Sequence, residues 1–288
     1  MSILLALLAA VFASFTAILA KIGIENVNSN LATAVRTVVV VLMAFLMVVI
    51  TGQTGNVFTI SMHALLFLVL SGLATGLSWL CYFKAIQMGD VSKVAPIDNS
   101  SIVLTLILSF LFLGEPAPIL VVFGGIFISI GTFVLIGKNS KNKEKKRFSL
   151  QPYIYFAVLA AIFAALTSIL AKIGIQNVDS NVATFVRTVV IIIFSWGIVF
   201  FQGTYKDLKK ITRKSFSFLI MSGIATGLSW LCFYGALALG KVSVVTPIDK
   251  SSIVLTIVLS FLLLKEKPTR YKIAGAILIT IGTALLIF

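Results

Sequence analysis

Residues 71–81 read Ser71-Gly-Leu-Ala-Thr-Gly-Leu-Ser-Trp-Leu-Cys81 and residues 222–232 read Ser222-Gly-Ile-Ala-Thr-Gly-Leu-Ser-Trp-Leu-Cys232, an offset of 151 residues with a single difference. The same offset carries Ala20-Lys-Ile-Gly-Ile24 onto Ala171-Lys-Ile-Gly-Ile175, Arg36 onto Arg187, and the ten residues Pro96–Thr105 onto Pro247–Thr256, without a gap. A self-match at one fixed spacing means one structural unit written twice, each copy supplying half of something.

The unit belongs in a membrane. At 59% hydrophobic and 11% charged residues, with a mean hydropathy of +1.12, the chain exceeds the apolar content of a water-soluble domain. The net charge of +14 does not point to nucleic acid, because Lys and Arg gather in short segments between apolar runs, where phospholipid headgroups lie. Cys81 and Cys232 occupy equivalent positions inside an apolar run and read as small packing residues, neither a disulfide framework nor a metal site. The first apolar run lacks a basic leader and recurs mid-chain, so it reads as a retained helix and not as a signal peptide.

A bilayer-spanning helix needs about 20 mainly apolar residues. Five such runs occur in each copy: 3–23, 31–51, 62–86, 92–113 and 117–137, then 153–174, 182–202, 215–238, 243–264 and 270–288. They are apolar on all faces, unlike the alternating runs of a barrel. The stretch 25–30 offers Asn and Ser caps for span two, Gly89-Asp90 closes span three, and Pro116 and Pro118 open span five. The expected organisation is a first five-helix repeat over 1–137, a basic linker over 138–151 and a second five-helix repeat over 152–288.

Five is odd, so two copies threaded in sequence enter the membrane from opposite sides, giving an inverted repeat. Copy two carries Lys206, Lys209, Lys210, Arg213 and Lys214 between its second and third spans, where copy one has no Lys or Arg; Lys265, Lys267, Arg270 and Lys272 likewise face only Glu115 and prolines. The face bearing the linker collects 18 Lys and Arg, and the other face has only Lys172 and Lys241. The positive-inside rule then puts the linker in the cytoplasm and both termini outside.

The fold class expected is an all-α integral membrane protein, ten transmembrane helices as two inverted five-helix repeats around a central cavity. Ionisable groups inside spans are costly and usually face the bundle interior or a wet cavity. Arg36 and Asp98 lie at similar depth from one face, and Arg187 and Asp249 repeat this at the other. The depths predict pairs Arg36–Asp98 and Arg187–Asp249 at the two mouths of one pathway; the competing reading is a set of side chains reaching headgroups, which suits Arg better than the shorter Asp. Pro96 and Pro247 each free a backbone carbonyl, and the polar residues that follow make a natural place for a substrate or ion, although kinks without function are common. There the copies differ at Asn99 and Lys250, so one mouth gains a positive charge.

Gly72 and Gly76, like Gly223 and Gly227, put a small face on span three or eight for close helix contact. Trp79 and Trp230, with Tyr82 and Tyr234, sit deeper than an interfacial belt; they line a cavity and stack on a substrate, or fill space. Gly125 with Ser129, and Gly275 with Ile279, mark packing of the closing spans or a dimer contact, and His63 reads as solvated. No nucleotide loop, metal-ligand cluster or nucleophile with a nearby base is legible, so no enzyme activity, cofactor or metal is expected. The expected partners are a small-molecule substrate and membrane lipid, with a homodimer as a candidate and no nucleic acid.

Each copy has a Lys-Ile-Gly segment closing span one, a Gly-rich span three, a span four ending in Leu113-Gly-Glu115 or Leu264-Lys-Glu266, and a Gly131-Thr132 or Gly282-Thr283 close. In these features the chain resembles the drug/metabolite transporter superfamily, its EamA-type ten-helix members above all. The resemblance implies a multi-pass carrier of the bacterial inner membrane with a central cavity lined by spans one, three, four, six, eight and nine. It also implies alternating access between inverted halves and export of amino acids, other metabolites or drugs. Two departures stand out. The span-one glutamate that couples protons in small four-helix relatives is replaced by Phe12-Ala-Ser14 and Phe163-Ala-Ala165, so proton coupling would fall to Asp98 or Asp249. The resemblance also implies cytoplasmic termini, opposite to the charge distribution. The leading expectation is a transporter of a small polar or zwitterionic solute; the alternatives are an exporter of hydrophobic cationic drugs or a membrane scaffold.

Overall fold

In the computed structural model, residues 1–24, 27–88, 94, 97–98, 100–116, 118–136, 152–264 and 269–287 are described. Outside them lie Glu25 and Asn26, Gly89-Asp90, Lys93, Pro96, Asn99, the linker, Lys265 to Lys267 and Phe288. The helices are α1 (Ser2–Gly23), α2 (Ser29–Ile50), α3 (Met62–Met88), α4 (Ser101–Phe112), α5 (Ile119–Ile136), α6 (Pro152–Gly174), α7 (Ser180–Phe201), α8 (Arg213–Leu239), α9 (Val242–Lys250), α10 (Ser252–Leu264) and α11 (Arg270–Ile287). Among the described residues there is no strand. Among the described residues eight stretches are long and apolar enough to cross a bilayer, α9 with α10 counting as one, and two apolar helices, Ser101–Phe112 and Ile119–Val134, are shorter. The outer faces are apolar in kind: Leu42 and its 151-offset partner Ile193 are 61% and 68% exposed, a surface suited to lipid.

Helix ends follow local chemistry. The Asn28 carboxamide oxygen accepts from the Asn30 and Leu31 N–H groups at 2.9 and 3.3 Å, and Asp179 caps Asn181 and Val182 at 2.9 and 3.2 Å. Pro116 and Pro118 precede α5, whose first helical residue is Ile119. Pro247 stays inside α9, and the interruption falls later, where the Ser251 N–H and hydroxyl both turn back to the Ile248 carbonyl. Ser100, the offset equivalent of Ser251, does the same to Ile97.

Packing crosses between the copies. α1 lies along α8 and α3 along α6, α2 meets α7, and α5 meets α11. The main helix contacts come in offset pairs. Ser71 donates to the Thr167 carbonyl at 2.7 Å and Ser222 to Thr16 at 2.9 Å; Ser78 to Ala160 and Ser229 to Ala9 are both 3.0 Å. A Cβ added at Gly72 would stand 2.9 Å from Val190 Cβ, and one at Gly223 would stand 2.7 Å from Val39 Cβ. Gly76 faces Phe194 and Gly227 faces Met43, so these glycines admit α7 to α3 and α2 to α8. The closing helices touch backbone to backbone at Gly131 against Gly275 and Gly124 against Gly282; Gly125 is instead covered by Leu106.

Candidate functional site

On α3, residues Thr75, Ser78, Trp79 and Tyr82 fall three to four positions apart and so share one face of the helix. That face turns inward. With Ser229, Trp230 and Tyr234 of α8 it walls a cavity of about 490 Å³, completed by α1, α4, α6 and α9. These are the spans that the resemblance implies for a central cavity. Asp98, Asp249 and Lys250 reach the same space, the last two from the end of α9.

Seven singled-out residues therefore share one chamber: Trp79, Tyr82, Asp98, Trp230, Tyr234, Asp249 and Lys250. Asn99 lies outside the described residues. The paired-mouth expectation is corrected, since both aspartates line the same cavity and neither meets an arginine. Among the described residues the only ion pair is Lys210 with Asp207, at 2.7 Å on the surface. Lys250 interacts electrostatically with both carboxylates, and Tyr82 with that of Asp98.

The arginines reach across to hydroxyls of the opposite copy. Arg187 is 1% exposed; its Nε donates to Ser71 Oγ at 2.9 Å, its Nη2 donates to Thr75 Oγ1 at 3.1 Å, and the guanidinium lies 4.2 Å from the Tyr234 ring centroid. Arg36 donates from Nη2 to Thr226 Oγ1 at 2.8 Å and its Nε has no protein partner. It borders a second cavity of about 310 Å³, which shares Trp79 and Trp230 with the first. A guanidinium is a strong enough base to stay cationic beside neutral hydroxyls, so both arginines remain cationic features beside the chamber.

Sequence reasoning missed the hydroxyl lining: Thr75, Ser78, Ser101, Thr105, Ser229 and Thr246 all reach the cavity. For Thr75, Ser78 and Ser229 the signal was the spacing to the Trp and Tyr of the same helix; Ser101 and Thr105 sit on α4 and Thr246 on α9. Phe233, the offset partner of Tyr82, also lines the cavity and was not singled out. His63 is exposed beside Phe67, with ring centroids 4.7 Å apart, and both cysteines are free thiols.

Residues 1–137 and 151–288 each match the EamA-like transporter family. The chain belongs to the EamA-like transporter family. It is thereby a membrane transporter of the drug/metabolite transporter superfamily. An uncharacterized transporter of Bacillus subtilis is 28% identical over 222 residues, 75% of this chain and 69% of the relative. An uncharacterized transporter "in cobO 3'region" from Sinorhizobium sp. is 46% identical over 130 residues, 45% of this EamA-like chain but 92% of the relative, so that protein has the length of one copy. A crystal structure that is 17% identical superposes with a TM-score of 0.82, covering 99% of this chain and 96% of the other, and shares the fold.

Proposed function

We propose that this EamA-like protein is a secondary transporter that moves a small polar or zwitterionic metabolite, such as an amino acid, by alternating access. It would sit in the bacterial inner membrane as ten spans in two inverted five-helix repeats, with the linker cytoplasmic and transport outward. The offset-related contacts support the repeat, the 18-to-2 charge bias supports the orientation, and the family resemblance supports export.

One observation carries the substrate reading: Asp98, Asp249 and Lys250 present two carboxylates and one ammonium in one cavity walled by Trp79 and Trp230. Ionised groups are costly in a membrane interior and are kept where they meet opposite charge, as Lys250 meets both aspartates. A zwitterion supplies both signs, its ammonium to the aspartates and its carboxylate to Lys250. The volume of about 490 Å³ lies within the small-molecule range. The excess of carboxylate over ammonium, with the aromatic walls, favours hydrophobic cations as a second reading.

The test is a melting-temperature screen of detergent-purified protein against amino acids, sugars, nucleosides and cationic drugs, run in parallel on Asp98→Asn/Asp249→Asn. A ligand at 100 times its Kd adds about 2.7 kcal/mol to the folded state. Stabilisation by zwitterions that disappears in the double variant is expected. Stabilisation by lipophilic cations alone would select the second reading, and no stabilisation by any class would favour a scaffold.

A further inference from the structure

Away from the chamber, the densest polar contact sits at the turn between α8 and α9, on the face opposite the linker. Glu115, from the connection between α4 and α5, accepts from the N–H of Val242 at 2.7 Å through Oε1 and from that of Ser243 at 2.9 Å through Oε2. A carboxylate that closes the first turn of a helix with both oxygens meets orphan donors and the positive end of the dipole together. On the other side of the turn, Lys172 at the end of α6 donates through Nζ to the Leu237 carbonyl and, at 2.6 Å, to the Gly240 carbonyl. A Cβ at Gly240 would stand 2.7 Å from Ser2 Cβ, so the start of α1 presses on the same turn. Opposite charges from two separate segments thus clamp four residues of a third.

The clamp is joined mechanically to the chamber. α9 begins at the clamped Val242 and ends nine residues later at Lys250, so a rod of about 14 Å connects the mouth to Asp249 and Lys250. The sequence writes the clamp twice. At the 151-residue offset Glu115 becomes Glu266, Lys172 becomes Lys21, Gly240 becomes Gly89, and Val242-Ser243 becomes Val91-Ser92. Glu266, Gly89, Val91 and Ser92 lie outside the described residues. The charge types survive in both copies although the surrounding loops have diverged in charge.

We infer that Glu115 and Lys172 form a gate that locks the mouth opposite the linker, and that turnover releases it. The inference rests on the alternating-access reading. Releasing the first clamp frees the N-terminal end of α9 to swing and opens the chamber on that side, carrying Asp249 and Lys250 with it.

The test uses the full chain in membrane vesicles, with Cys81→Ala and Cys232→Ala, and Thr246→Cys as a reporter inside the chamber. A membrane-impermeant maleimide is applied from either face. Losing one charged bidentate cap should raise labelling from the face opposite the linker roughly tenfold in Glu115→Gln. Lys172→Arg should stay near the parent. If Glu115→Gln fails to fold, Lys172→Met, which leaves the α9 cap in place, carries the same expectation. Labelling that is unchanged, or that rises equally from both faces, overturns the gate. The readout needs no substrate, so side-specific labelling in a chain that moves no solute keeps the gate and removes the transport reading. Unchanged labelling in a transport-competent chain does the reverse.

Discussion

Arg36 and Arg187 are the same residue in two copies of one unit, yet their surroundings differ. Arg187 is enclosed: two hydroxyls of α3 accept from it and the Tyr234 ring covers it. Arg36 is half-buried, holds one hydroxyl and faces a cavity. The backbone contacts beneath them are alike, since Gly72 and Gly223 stand at nearly the same separation from α7 and α2. The scaffold is therefore symmetric while the polar chambers are not. That is what a two-state carrier needs, because one backbone can exchange the two environments by repacking side chains around a fixed frame.

The contrast is energetic and can be measured by melting in detergent. The largest expected effect is at Arg187→Ala, which removes a packed side chain with two hydrogen bonds and should cost about 3 kcal/mol or more, against about 1 kcal/mol for Arg36→Ala. Equal losses would mean that the enclosure carries no energy. Next, Gly72→Val and Gly223→Val should each cost about 1–3 kcal/mol by overpacking, and by similar amounts. A loss on one side only would show the frame to be asymmetric too. Tyr234→Leu should cost about 1 kcal/mol through the lost ring over Arg187, while Tyr234→Phe should leave stability near the parent. Smallest, Ser78→Ala and Ser229→Ala each remove one hydrogen bond to a facing helix and should cost about 1 kcal/mol or less apiece.

Much of this architecture was legible in the amino-acid order. The 151-residue offset located the helices, and the Asn28 cap was visible as turn chemistry because capping is local. The Trp, Tyr, Asp and Lys of the chamber were legible for another reason: such residues are expensive in a membrane and stand out against an apolar background. The arginine partners were not. Opposite charge suggested Asp98 and Asp249, but Ser71, Thr75 and Thr226 are neutral and sit on a helix of the other copy, and no spacing along the chain reports that approach. The break at Ser251 was hidden behind a more conspicuous proline. Glu115 and Lys172 entered as members of a charge count and of repeated span-end motifs, without a role of their own, because their partners are backbone groups, which every residue has.

The crossing of contacts between copies also governs how the protein is made. Ser222, which donates to the Thr16 carbonyl, is synthesised 206 residues after it. α1 and α2 leave the ribosome with no finished surface to rest on, and the small-residue faces that will receive α8 and α7 stay turned to lipid until the second copy arrives. A nascent chain halted at the linker would hold five helices and none of their principal partners. Such a fragment has one remedy, a second fragment like itself that supplies the missing faces.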